Sequence, residues 1–166
     1  DHEGRVAFCY RFQEEAEITG FSKLHLYMST DKAIDMDVFV RVNKLDAQGK
    51  RLFANYTNVY SGPNGRLRAS LRKVDPGKSG TLTPYHPYDT REYFKPFEVV
   101  ELDIGIWPTG LRFHPGEQLE VEISGFEIMT AHMGNMKLET VNRGEHTVHS
   151  GGAYESYLLL PFIPEA

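Results

Sequence analysis

Hydrophobic and polar positions alternate along most of the chain with a period of two. Val6, Phe8, Tyr10 and Phe12 are separated by smaller or polar neighbours, and so are Leu24, Leu26 and Met28. Val38, Val40 and Val42 repeat the pattern, with Arg41 and Asn43 on the other parity, and Leu67, Ala69 and Leu71 follow it. Val100, Leu102, Ile104 and Ile106 form a fifth run, and Leu119, Val121 and Ile123 a sixth. Successive strand residues point to opposite faces, so each run predicts a strand with one dry face and one wet face. The run Tyr157-Leu-Leu-Leu160 is apolar throughout and predicts a strand covered on both faces.

Turn residues punctuate these runs. Asp46-Ala-Gln-Gly49 reads as a hairpin link, and Ser61-Gly-Pro-Asn-Gly65, Asp75-Pro-Gly77, His114-Pro-Gly116 and Ser150-Gly-Gly152 read as loops. Many short strands between turns predict an all-β fold, a sandwich of antiparallel sheets. Helical signal is thin. Glu14 to Ile18 is short, and the spacing of Met129, Met133 and Met136 is broken by Gly134-Asn135, so that segment reads as a loop with apolar anchors. No linker or repeat is visible, and residues 1–166 read as one domain. The longest irregular stretch is Pro84 to Phe97, with five aromatics and three prolines in fourteen residues. It either wraps its own sandwich or meets another surface.

At 166 residues with 25% charged and 40% apolar composition, the chain suits a globular domain with its own core. A net charge of −5 and a single short basic stretch, Arg66 to Lys73, argue against nucleic-acid binding. No apolar run approaches the ~20 residues of a membrane helix, and a soluble, cytoplasmic location is expected. Cys9 has no disulfide partner and reads as a buried apolar residue beside Phe8 and Tyr10. The start at Asp1 rather than Met suggests a processed product or part of a longer polypeptide.

Catalytic signatures are missing. There is no Gly-x-Ser-x-Gly: Gly20-Phe-Ser22 is followed by Lys23-Leu24, where a strand begins. Gly77-Lys-Ser-Gly80 is not a P-loop, and no dinucleotide fingerprint occurs. His146 and His149 fall on opposite faces of a strand, which argues against a shared zinc. Asp31, Asp35 and Asp37 read as an acidic turn, with calcium as the alternative. Glu120 and Glu122 read as a solvated strand face, and Trp107, before Pro108, reads as core. No catalytic residue, metal or cofactor is expected.

Several stretches together resemble one family. They are Glu17-Ile-Thr-Gly20, Lys23-Leu-His-Leu-Tyr-Met-Ser-Thr-Asp31, Asp35-Met-Asp-Val-Phe-Val-Arg-Val42 and Gly65-Arg-Leu-Arg-Ala-Ser-Leu-Arg72. Ile106-Trp-Pro-Thr109, Phe113 to Ser124, His146-Thr-Val-His-Ser-Gly-Gly152 and Ser156-Tyr-Leu-Leu-Leu-Pro161 continue the series. In this order they resemble the C-terminal domain of the X-Pro dipeptidyl-peptidase and cocaine-esterase family of serine hydrolases. One departure is Pro115-Gly-Glu-Gln118, where many members carry Gly-His-Arg. The resemblance implies a jelly-roll, galactose-binding-like sandwich and an α/β-hydrolase catalytic domain N-terminal to it in the same protein. It implies that the sandwich packs on that domain, helps shape its substrate cleft and takes part in homo-oligomer contacts. The expected interdomain interface is Tyr85, His86, Tyr88, Tyr93, Phe94 and Phe97, with Met129 and Met133. The rival readings are a jelly-roll carbohydrate-binding module, which needs an exposed aromatic platform, and a free-standing interaction domain.

Overall fold

The computed structural model describes residues 4–52, 62–127 and 139–164. Met129, Met133 and Met136 lie outside the described residues. Nine strands are present among the described residues: β1 (Arg5–Arg11), β2 (Ala16–Thr30), β3 (Asp37–Leu45), β4 (Arg51–Leu52), β5 (Asn64–Arg68), β6 (Val100–Phe113), β7 (Gln118–Ser124), β8 (His146–His149) and β9 (Tyr157–Leu159). They form two antiparallel sheets facing each other as a β-sandwich. Sheet A runs β1-β7-β3, with β4 and β5 both on the far edge of β3. Sheet B runs β6-β2, with β8 and β9 both on the far edge of β2. Apart from the β3–β4 hairpin, no two sheet neighbours are consecutive in sequence, which is the wrapping of a jelly roll.

The alternating runs supply the interior. Leu24, Leu26 and Met28 of β2 and Val100, Leu102, Ile104 and Ile106 of β6 meet Val38, Val40 and Val42 of β3 and Leu119, Val121 and Ile123 of β7. Phe12 stacks on Phe113 with ring centroids 4.3 Å apart and closes one end of this core. The Asp46–Gly49 hairpin forms as expected: Asp46 donates its N–H to the Lys50 carbonyl, and Gly49 takes the left-handed φ of +83° that a side chain resists.

Other expectations are corrected. Ala69–Leu71 leaves the strand and forms a 3₁₀ turn, because the Asp35 carboxylate accepts from both the N–H and the hydroxyl of Ser70 and pulls the chain inward. β6 does not stop at Ile106; it runs through Trp107 and Pro108 to Phe113. Proline is tolerated because β6 is an edge strand and its missing N–H interrupts no ladder. There, Phe21 alone faces Trp107 and Pro108, a bulge on β6 that turns Trp107 outward to 72% exposure, so this residue is not core. Cys9 is likewise exposed, since its edge strand is covered on neither face. β9 is only half-buried rather than covered on both faces.

The largest correction concerns Glu122, 1% exposed on a face expected to be wet. Antiparallel register sets Arg41 opposite Glu122 and Asn43 opposite Glu120. Arg41 donates to Glu122 at 2.7 Å, Asn43 to Glu120 at 2.7 Å, and Arg51 bridges both carboxylates at 2.9 and 2.6 Å. Charge pairing lets this polar face close, because each buried carboxylate keeps charged donors in exchange for water.

Candidate functional site

The aromatic loop is anchored at both levels of its structure. Its backbone is pinned by Glu92 N–H to the Ser70 carbonyl at 2.7 Å, Phe94 N–H to Ile34 at 3.2 Å and Phe97 N–H to Thr30 at 2.7 Å. Two side chains point in. Phe94 joins the core. His86 is buried, with its ring nitrogens 3.1 and 2.9 Å from the carbonyl oxygens of Lys73 and Asp103, and ties the loop to the edge of β6. Tyr85, Tyr88, Tyr93 and Phe97 point outward, Phe97 at 75% exposure. The loop therefore both wraps its own sandwich and presents an aromatic surface. His86 and Phe94, expected at the interface, are instead the buried anchors that hold the other four in place.

Two of the outward residues carry left-handed backbone, Tyr88 with φ of +56° and Phe97 with φ of +67°. This region suits glycine and is unfavourable for large side chains. At Phe97 the cause is visible. Lys95 to Glu98 is a turn closed by the Glu98 N–H on the Lys95 carbonyl at 3.0 Å, with Pro96 at its second position. A positive φ at the third position is the type II geometry, where glycine is the usual residue.

A second apolar surface, not expected from sequence, lies along β1. Val6, Phe8 and Tyr10 are all exposed, as are Tyr157 and Phe162 across a cleft from them. Alternation marked Val6, Phe8 and Tyr10 as inward, and the signal was correct about parity. It carries no information on whether anything lies opposite.

The polar clusters are engaged in holding the fold. Asp35 caps Met36 and Ser70, Asp37 holds Arg68 through two bonds of 2.8 and 2.9 Å, and Asp31 accepts from Glu145 N–H at 2.8 Å. Among the described residues no group of three metal-binding side chains converges. Burial pushes the Glu122 carboxyl up, but hydrogen bonding and charge from Arg41, then Arg51 and Arg5, hold it below its ordinary value. A glycosidase acid needs the opposite shift. Ser29 Oγ lies 2.8 Å from His149 Nε2, but Ser29 is buried near the C-terminal end of β2. No carboxylate among the described residues is hydrogen-bonded to the other nitrogen of His149, so the orienting third group of a catalytic triad is lacking there. His25 pairs with Asp103 at 2.8 Å and stacks on Tyr157, a contact between neighbouring strands that only register reveals.

Comparison with protein families matches residues 1–159 to the X-Pro dipeptidyl-peptidase C-terminal non-catalytic domain. The chain belongs to this family. Among solved structures, the chain is similar to part of a CocE/NonD family hydrolase from Staphylococcus aureus, with 35% identity over 98% of this chain and a TM-score of 0.90. It spans about a third, 31%, of the length of that protein. An α-amino acid ester hydrolase shares the fold at 16% identity, over 96% of this chain and 26% of its own, with a TM-score of 0.65. An aminopeptidase from a marine sediment Thaumarchaeota archaeon shares it at 15% identity, over 73% of this chain and 18% of its own, with a TM-score of 0.53. No curated protein matches the chain. Among the described residues of the domain, no helix is long and apolar enough to cross a membrane.

Proposed function

We propose that this domain packs against an α/β-hydrolase catalytic domain of the same polypeptide, forms one wall of its substrate cleft, and contributes no reacting group. The observation that carries the reading is the aromatic loop. It holds four exposed aromatics on a backbone pinned to the sandwich, two of them in strained left-handed conformations. Rigid exposed aromatics are favoured where a surface is to be buried against protein, and strain persists where the surroundings hold it. In the full-length hydrolase, Tyr88→Ser with Tyr93→Ser is expected to lower kcat/KM on an acyl ester by about tenfold, because a displaced wall misplaces substrate. The melting of the isolated domain should be unchanged. Unaltered kcat/KM would reject the cleft-wall role. The isolated domain is expected to give no saturable hydrolysis of a p-nitrophenyl ester, and turnover by the pure fragment would reject the non-catalytic assignment.

The outward turn of Trp107, beside exposed Phe21, is the feature that favours the carbohydrate-binding alternative. Calorimetric titration with oligosaccharides separates the two: heat that Trp107→Ala abolishes would support it, and no heat would remove it.

A further inference from the structure

The two sheets differ in width. Sheet A is four strands across: β4 and β5 end to end, then β3, β7 and β1. Sheet B is three across: β6, then β2, then β8 and β9 end to end. The sheets are closed where β5 meets β6, since a Cβ on Gly65 would sit 2.3 Å from the Gly105 carbonyl oxygen. Counted from that side, β1 has no counterpart in sheet B among the described residues.

The side chains register the gap. Val6, Phe8 and Tyr10 pair directly with Ile123, Val121 and Leu119 of β7, so the two sets share the inward face of sheet A. The β7 residues are at most 8% exposed, whereas Val6, Phe8 and Tyr10 are 38, 45 and 61% exposed. Between the sheets at this side lies an apolar cleft of about 690 Å³, floored by Leu24, Leu26 and Val121 and lipped by Phe8, Leu158 and Leu160. A second hollow of about 800 Å³ continues it past Ile123 and Val148 to His146. Both lips are strand edges: among the described residues, the outer edge of β1 and the outer edges of β8 and β9 pair with nothing. An unpaired edge beside exposed core residues is what folded proteins normally cover.

The occupant is indicated by where the rest of the polypeptide lies. The family is named for its C-terminal position, and the domain is 31% of the length of the Staphylococcus aureus hydrolase. The polypeptide that precedes such a domain arrives at the start of β1, on the lip of the cleft. We propose that an apolar strand from that preceding portion completes sheet B beside β8 and β9 and lays its apolar side on Val6, Phe8 and Tyr10. Strand addition of this kind takes affinity from main-chain hydrogen bonds and specificity from alternate side chains. The proposal rests on the reading that the domain belongs to a longer hydrolase, and it identifies the contact as an intersheet strand.

The test uses the full-length protein with p-benzoylphenylalanine placed at position 10 or, separately, at position 97, followed by irradiation and peptide mapping. Position 10 is expected to cross-link to a peptide that precedes residue 1. Amides of residues 146–149 and 157–159 should exchange about a hundredfold more slowly than at a solvent-facing edge. A position-10 product with residues 128–138, a product with a second copy, or fast exchange at both edges would overturn the proposal. Cross-linking to the hydrolase domain from position 97 alone would overturn the added strand while leaving domain packing intact. Its absence from both positions would overturn both.

Discussion

At the scale of the residue, Phe97 and Glu122 make opposite uses of cost. Phe97 keeps a bulky side chain at a φ of +67° and leaves it 75% exposed. A β-carbon in this region costs roughly 1–2 kcal/mol, and glycine returns about half of that relief through the entropy of the unfolded chain. Phe97→Gly is therefore expected to stabilise the isolated domain by about 0.5 kcal/mol in urea unfolding. A destabilisation larger than 1 kcal/mol would mean that the ring serves this domain's own fold. Glu122 is buried against Arg41 and is reached by the more exposed Arg51 and Arg5, and its carboxyl is held below its ordinary value. A group with a lowered folded pKa contributes stability above its unfolded pKa, near 4.3 for glutamate, and loses it as pH falls through the folded value. For His146 it is burial itself that lowers the pKa, outweighing a backbone hydrogen bond to Arg143 and the charge of Asp31. Its share is present above roughly pH 6.5 and erodes below it. The melting temperature measured from pH 8 to 3 should fall in two stages. Glu117 and Glu15 are also held below their ordinary value by hydrogen bonds and charge. Glu122→Gln should therefore shrink the lower stage, leave the upper one, and cost about 3 kcal/mol at neutral pH by leaving Arg41 without its charged partner. A profile unchanged by the substitution would contradict this account.

At the scale of the element, close approach of backbones decides where the sandwich shuts. Gly65 of β5 lies against the Gly105 carbonyl of β6 with no room for a methyl group, whereas a Cβ on Gly110 would meet Thr19 Oγ1 at an ordinary 3.7 Å. Gly65→Ala is expected to cost about 3 kcal/mol, at the upper end for overpacking, and Gly110→Ala less than about 0.5 kcal/mol. Urea midpoints of the pair would check the contrast, and equal effects would refute it. Elements were legible in sequence to the degree that burial on one face made them alternate. β3, β6 and β7 alternate clearly because they line the core. β8, His-Thr-Val-His, has one apolar residue, Val148, and so no period to detect. The bulge that turns Trp107 outward depends on the pairing of β6 with β2, a relation between segments some 80 residues apart.

At the scale of the whole molecule, the seam along β1, β8 and β9 is uncovered among the described residues. Residues 1–166 expressed by themselves are expected to self-associate with rising concentration in sedimentation, and Phe8→Lys with Tyr10→Lys to suppress it without unfolding. Monomer at every concentration would show the seam to be harmless or filled. The chain's periodicity by itself determined the all-β class and the inward parity of each main strand, and composition marked Pro84 to Phe97 as an aromatic-rich loop. Its ordered segments carried the family resemblance. These properties are local, since a strand's neighbours in sequence set which face each side chain takes. Only the tertiary structure decided that Glu122 and Arg41 are buried, that His86 and Phe94 anchor the loop from inside, that Cys9 and Trp107 lie outside, and that one sheet is a strand narrower than its partner. Each depends on strand order and register, and so on which distant segments face one another.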